Sequence, residues 1–469
     1  MKGIGKGMPA REASSPDYSR RQFLRCFRPL HILSSTFALW PFGVPTGGGW
    51  FHFNRPSVLY VLAVVTAYSA FHLYINYTDA YGIEAGEVEH AGPQDGPPTS
   101  ASAGQQQQVE VNFVSIVIDI YNRYSGLILF WLLHAVALAT QRSLAAIVSG
   151  VLLIDEQIAD RLSLVPNHGQ WCRFICLHTA FVFLGTGFAE WYNCIMYMSD
   201  FIAVSEYCIF QCFITMLTSS TVELQYVAFV QLIKNRLQLI NDLLVELTTY
   251  GTENERHTRL DHLLQAHSQP KAGTERHITA KIINDIKNLY THLHLLSLNI
   301  NKAYGVQLIF ILMTLFVTLT TLLYYCTMKL FRMLSLGQWA TAAELLPTFW
   351  EVLSTLSWAF ISTFRILRIC NVCNSAKNEA QKIGSLIHGL GWKTNCPDTK
   401  SMVRILSLQL QQQRIEFTAG GLFTIDHGLM FNIVGSLATY LLILIQFDIA
   451  QNGAKWKAER PTTGMAPLV

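Results

Sequence analysis

Seven separate stretches of about twenty predominantly apolar residues, 57–76, 124–149, 174–198, 201–225, 306–328, 347–367 and 428–447, constrain this 469-residue chain more than any other feature. Each is long enough to cross a hydrocarbon core of about 30 Å as a helix. Inside lipid, a backbone N–H or C=O finds no water, so a spanning segment of this length has to satisfy its own hydrogen bonds and is helical. The composition agrees: 51% of residues are hydrophobic and 14% charged, where soluble proteins carry about 25% charged. The expected fold class is an all-α membrane protein with seven transmembrane helices. A net charge of +3 is too small to suggest nucleic acid as a partner. The ten cysteines are scattered through apolar stretches and lack the dense spacing of a disulfide-stapled secreted domain.

Lys and Arg set the orientation. The N-terminal segment holds Lys2, Lys6, Arg11, Arg20, Arg21, Arg25, Arg28 and Arg55, whereas the loop after Asn76 has no basic residue before Arg123 and carries Asp79, Glu84, Glu87, Glu89, Asp95 and Glu110. Positive charge stays inside, so the N-terminus is expected to be cytoplasmic and, after seven spans, the C-terminus extracellular; Lys455, Lys457 and Arg460 count mildly against the latter. The tripeptide Asn76-Tyr77-Thr78 makes Asn76 a candidate for glycosylation on the outer side. The chain thus divides into a cytoplasmic segment 1–56 with an interfacial helix at 29–45, broken by Pro41 and Gly43, and helices one to four within 57–230. The outer loop 82–110, rich in Gly, Pro, Ser and Gln, is expected to be disordered. Cytoplasmic anchor helices follow at 231–302, helices five and six within 303–370, a cytoplasmic segment at 371–427, the seventh helix at 428–447 and an extracellular tail at 448–469.

Several helices are longer than a membrane needs. Residues 201–250 contain neither Gly nor Pro, and an unbroken helix of that length reaches about 75 Å. Its inner extension offers Leu232, Leu239, Leu243 and Leu247 for packing. Ile278, Ile282, Ile286, Leu289, Leu293, Leu296 and Ile300 recur at alternating spacings of four and three, a heptad stripe. Residues 348–383 are again free of Gly and Pro, and 401–417 are amphipathic. These inner helix ends are expected to form a cytoplasmic anchor bundle, with the heptad stripe holding subunits together.

No enzyme motif is present: the phosphate-binding, zinc-protease, serine-elbow and dinucleotide fingerprints are all absent. No catalytic residue, cofactor or metal is expected. Cys370-Asn-Val-Cys373 lacks the second pair that a structural zinc site needs. Ionisable groups inside spans point to function, and Glu190, Glu206, Glu223 and Glu351 qualify. On the outer helix halves, Trp131 and His134, Glu190 and Trp191, Tyr207 and Gln211, Thr321 and Tyr324, and Trp350, Glu351 and Trp358 offer aromatic walls with a few polar groups, as a small organic ligand requires. An interfacial aromatic belt would use the same residues.

The final helix stands apart. Thr439, Ile443, Gln446 or Phe447, and Ala450 recur three to four residues apart, and an uncharged amide in a span faces either water or a neighbouring helix. The run Thr439-Tyr440-Leu-Leu-Ile-Leu-Ile-Gln446-Phe447 resembles the signature that closes insect gustatory receptors, relatives of the insect odorant receptors. Phe417-Thr-Ala-Gly-Gly-Leu-Phe-Thr-Ile-Asp426 and Phe431-Asn-Ile-Val-Gly435 resemble the approach to it. The resemblance implies a tetrameric, ligand-gated, nonselective cation channel in the plasma membrane, formed with like or other gustatory subunits, with a small-molecule tastant and membrane lipid as partners. By motif position, Thr439, Tyr440, Ile443, Gln446 and Phe447 would line or gate the pore. Sugar receptors of this family resemble one another in an acidic residue after Thr-Tyr, where this chain has Leu441, so a bitter or other non-sugar ligand is the first reading and a fructose-type sugar the second. A G-protein-coupled receptor would place its N-terminus outside, and a secondary transporter would show broken, repeated spans; both rank behind the channel as alternatives.

Overall fold

The computed structural model describes residues 16–40, 55–89, 113–197, 213–250, 274–336, 342–393 and 396–458. Among them the chain forms α1 (Pro16–Thr36), α2 (Arg55–Glu89), α3 (Phe113–Ala139), α4 (Gln141–Leu162), α5 (His168–Tyr197), α6 (Ile214–Tyr250), α7 (Thr274–Leu336), α8 (Ala342–Lys393), α9 (Pro397–Gln412), the hairpin β1 (Thr418–Ala419) and β2 (Phe423–Thr424), and α10 (His427–Ala458). Five helical stretches are long and apolar enough to cross a membrane: Pro56–Tyr77, His168–Ala189, Thr279–Phe331, Phe349–Trp392 and His427–Ala450. A bent pair, α3 followed by α4, makes a sixth if counted as one span. Of the fourth expected span, 201–225, residues 201–212 lie outside the described residues and the rest opens α6.

α6 is the axis of the molecule. Val222, Leu224, Tyr226, Val227, Ala228, Phe229 and Val230 are all buried, which covers every face of two helical turns, and such a helix has protein all round it. α1, α3, α5, α7 and α8 supply that cover. α7, 63 residues long, and α8, 52 residues long, reach about 95 Å and about 78 Å at 1.5 Å per residue. Their excess length gathers α4 and α9 into a helical layer at the end of the bundle that carries the basic connections.

That layer corrects the expectation for the heptad stripe. Ile282, Ile286, Leu289, Leu293, Leu296 and Ile300 are all at most 3% exposed within one chain. They belong to the same apolar cluster as Leu144, Ile147, Val151, Ile154 and Ile158 of α4. A Cβ on Gly150 would stand 3.3 Å from Leu296 Cδ1, so the two helices approach closely. The stripe builds the subunit's own core and is not available to a neighbouring subunit.

Three further expectations change. The apolar run 124–149 does not continue as one helix: the chain turns by 61° between Ala139 and Gln141. The residues beyond the turn form an amphipathic helix whose Leu144, Val148, Val151 and Ile158 face protein. The interfacial helix expected at 29–45 instead runs from Pro16 to Thr36, and its apolar face meets protein. Phe23 stacks on Phe27 and on Trp171 at 5.7 and 5.6 Å, and Trp40 stacks on Phe229 at 6.5 Å. Finally, α2 continues to Glu89, into the loop expected from residue 82. The remainder of that loop lies outside the described residues.

Buried polar pairs lock the layer. Arg236 donates from Nε and Nη2 to Asp155 at 3.0 and 2.8 Å, tying α6 to α4. Asn241 and Gln238 both donate to Glu379, tying α6 to α8.

Candidate functional site

The approach to the last helix is built backbone against backbone. Gly420 and Gly421 turn the hairpin with φ of 56° and 76°, a left-handed conformation that costs glycine nothing. A Cβ on Gly305 of α7 would lie 2.6 Å from Gly420 N, so two glycines facing each other let the hairpin press onto α7. Asn301 clamps the same segment: its Nδ2 donates to Glu416 O at 2.8 Å and its Oδ1 accepts from Thr418 N at 3.2 Å. Gly305→Ala should therefore destabilise the protein by about 1–3 kcal/mol, as overpacking does. Thermal unfolding of the purified protein reads this, and an unchanged midpoint would show that the hairpin moves away freely.

Asp426 then starts α10. Its Oδ1 accepts from Gly428 N at 2.9 Å, and Lys377 Nζ of α8 donates to Oδ2 at 3.1 Å. Partial burial pushes the Asp426 carboxyl up, but Lys377 and the amides of Gly428 and Leu429 outweigh it and hold the group below the ordinary carboxylate range. A negative charge at a helix N-terminus is favourable, and Lys377 fixes its position.

α10 is apolar almost throughout, yet within 427–450 only Leu437 and Asp448 are buried. It rests on α7 and α8 along one narrow face. Leu437 is 8% exposed and packs with Leu319 and Ala359, and Asp448 lies buried on the same side. Gln446 follows Leu437 by about two and a half turns at 3.6 residues per turn, which puts it on the opposite face. Gly435, Thr439 and Leu442 share that opposite face by the same spacing. Thr439 returns its hydroxyl to Gly435 O at 3.0 Å, within the helix. Ile443 and Phe447, exposed by 46% and 53%, flank the row. Tyr440 turns back towards α7 and meets Phe316 edge-on at 5.9 Å. The helix continues to Ala458, past the expected boundary at 447.

The outer pocket candidates among the described residues make the following contacts. Trp131 is exposed and donates to Ser69 Oγ of α2 at 2.8 Å. His134 is buried between Phe130 O and Phe37 O, at 2.8 and 3.0 Å, where it ties the α3 bend to the end of α1. Trp191 is exposed beside Phe188. Thr321 bonds Val317 O of its own helix at 2.9 Å, and Tyr324 is buried against Tyr325. Trp350 packs on Phe349, Glu351 pairs with Lys329 of α7, and Trp358 is half-buried. The Glu190 side chain, and Glu206, Tyr207 and Gln211 altogether, lie outside the described residues. Asn76 sits within α2 with its amide bonded to His72 at 2.9 Å. Cys373 is buried with its Sγ 3.0 Å from the Tyr226 hydroxyl.

One constellation is only half legible in the sequence. Glu223 meets Arg365 and Arg368 of α8. The two arginines stand three apart at the basic end of an apolar run, a signal that becomes meaningful once paired with a carboxylate 142 residues earlier.

A family model described as 7tm chemosensory receptor matches residues 105–451. Among Drosophila melanogaster proteins, putative gustatory receptor 28b is 43% identical over 82 residues, covering 18% of this chain and 17% of that protein. Gustatory receptor 68a is 28% identical over 149 residues, covering 32% and 36%. Gustatory receptor for bitter taste 66a is 33% identical over 76 residues, covering 16% and 14%. In each case the alignment spans well under half of the relative. The solved structure of the insect olfactory receptor OR5 from Machilis hrabei in complex with eugenol is similar in fold, with a TM-score of 0.57 at 11% identity over 92% of this chain and 99% of that one.

Proposed function

Because the chain belongs to the 7tm chemosensory receptor family, we propose that it is a gustatory receptor of the plasma membrane that opens a nonselective cation pore when a small non-sugar tastant binds. Four copies surround the pore, α10 of each lines it, and the N-terminus faces the cytoplasm. The observation that carries this reading is the exposure of α10: an apolar helix with one narrow face on its own subunit, and Gly435, Thr439 and Gln446 on the face turned away. A lone amide facing lipid is costly, whereas four such faces around a water-filled axis hydrate it. The remaining exposed surface of α10 suits lipid and neighbouring subunits. A non-sugar ligand is supported by Leu441, where sugar receptors resemble one another in an acidic residue, and by the local similarity to a receptor named for bitter taste.

The test is electrical. Cells expressing this chain alone, with GTP replaced by a non-hydrolysable GDP analogue in the pipette, should respond to members of a bitter panel with a cation current, and not to common sugars. A response that vanishes when GTP signalling is blocked would contradict the channel reading. A current evoked by fructose would move the ligand to the sugar class.

A further inference from the structure

A cavity of about 320 Å³ opens between α8, α9 and the segment that joins α9 to β1. Lys377, Gln381, Gly384 and His388 of α8 all line it, and their spacing of three to four residues makes them one helix face. Ser407 of α9 and Arg414 and Glu416 of the joining segment add to the polar wall. Ser407 Oγ and His388 Nε2 stand 3.2 Å apart and link the two helices. Arg414 is exposed and makes no ion pair among the described residues.

Gly384 is the telling residue. Glycine weakens a helix interior, and packing does not require one here, because a Cβ at Gly384 would meet no atom within 4 Å. Gly305 lets a neighbouring backbone approach; Gly384 leaves room in a cavity. The wall residues indicate what the room suits. A guanidinium and an ammonium together match a phosphate, the first by its planar fork and the second as a point charge. The carboxylate of Glu416 repels such a group but accepts from hydroxyls, as do the amide oxygens of Gln381 and Gln411. At about 30 Å³ for each water molecule the cavity holds about ten, more than a bare phosphate fills.

The cavity lies clear of the bilayer and next to the approach to α10. Lys377 and His388 follow Phe349, where the apolar part of α8 begins, by about 42 and 58 Å along the helix, against a hydrocarbon core of about 30 Å. On the channel reading that end is cytoplasmic. Tyr290 of α7 also lines the cavity and donates to Gln413 O at 2.9 Å, which holds the joining segment in place. Lys377 is the same amine that donates to Asp426 at the start of α10.

We propose that this cavity binds a small soluble phosphorylated polyol, with the phosphate on Lys377 and Arg414 and the hydroxyls on Glu416, Gln381 and Gln411, and that the ligand competes with Asp426 for Lys377. Occupancy therefore loosens the contact that fixes the first turn of α10, and by reciprocity that contact opposes binding.

The experiment reads thermal midpoints of the purified full chain in phosphatidylcholine nanodiscs, since a ligand of the folded state raises the midpoint with its concentration. Glycerol 3-phosphate is the probe, and potassium chloride at equal ionic strength is the blank. The midpoint should rise saturably with the probe, and glycerol or L-alanine at the same concentrations should leave it unchanged. Arg414→Gln removes a charged donor and should weaken the apparent Kd by about tenfold or more. Gly384→Leu fills the cavity and should abolish the rise without lowering the midpoint of the unliganded protein, a combination that a merely structural glycine does not give. Asp426→Asn releases Lys377 from a partly exposed ion pair and should tighten the apparent Kd by about threefold.

A wild-type midpoint indifferent to glycerol 3-phosphate overturns the site, and so does a Gly384→Leu protein that keeps the wild-type response. An equal rise with L-alanine overturns the assignment to a phosphate, and an unchanged affinity in Asp426→Asn overturns the competition with the start of α10. Discs doped with phosphatidylinositol, whose headgroup is also a phosphorylated polyol, should show no rise without the soluble probe. A rise there that Gly384→Leu abolishes would overturn the soluble source. None of these measurements requires current, so failure of the site and failure of the channel reading are told apart.

Discussion

Gln446→Lys receptors should assemble, reach the cell surface and bind their tastant, yet pass on the order of a hundredth of the wild-type cation current. Gln446 lies opposite the Leu437 face that holds α10 to its own subunit. In the proposed tetrameric pore, four copies around an axis would bring four ammonium groups into one ring. A permeating cation meets about 1 kcal/mol of repulsion from each at 4 Å even in bulk water, and more where water is excluded. The sum is several kcal/mol, and each 1.4 kcal/mol is a factor of ten. Ile443→Ser, one position round the helix, should act the other way. In the proposed pore it would hydrate an apolar constriction of the kind that gates by excluding water, and current without ligand should rise. Whole-cell recording with surface biotinylation separates both effects from expression. Undiminished Gln446→Lys current would place the amide against a neighbouring helix.

The second large effect is on folding. Ile286 and Leu293 of α7 are both 0% exposed within one subunit. A Glu at either site must be buried in the subunit's core or expelled by opening it, and each costs several kcal/mol. Against a total stability of about 5–15 kcal/mol, the double variant should not yield a folded subunit. Fluorescence-detected size exclusion should show aggregate or no receptor. A stable, monodisperse monomer that has lost only its tetramer would contradict the intra-subunit packing seen here.

The sequence makes some of this readable and conceals the rest for physical reasons. Helix existence is legible because an apolar run in lipid has one backbone solution, and the long inner extensions follow from the absence of Gly and Pro. The heptad stripe is equally plain, but a stripe states that a partner exists and not which: Ile286 is buried in the core of its own chain, and nothing in its spacing distinguishes that from a neighbouring subunit. The bend after Ala139 has no Gly or Pro to mark it, and only the polar pair Gln141-Arg142 after Thr140 signals it. Gly305 and Gly420 are each unremarkable alone, and their meaning appears when the hairpin lies on α7. The pairing of Glu223 with Arg368 likewise joins residues 145 apart. Local patterns reveal elements, and long-range contacts decide which of those elements' side chains matter.

Cysteine accessibility along α10 tests the central claim most directly. Single cysteines at positions 435 to 448 are treated with a cationic methanethiosulfonate during tastant application, and the loss of current is compared with that of the parental receptor under the same reagent. If α10 lines the pore with the face turned from its own subunit, Gly435→Cys, Thr439→Cys and Gln446→Cys should be blocked rapidly, and only when ligand opens the channel. Leu437→Cys, Leu444→Cys and Asp448→Cys should respond as the parental receptor does. Block at Leu437→Cys and Leu444→Cys with Gln446→Cys unaffected, or equal reactivity at every position, would contradict the assignment of the pore to this helix.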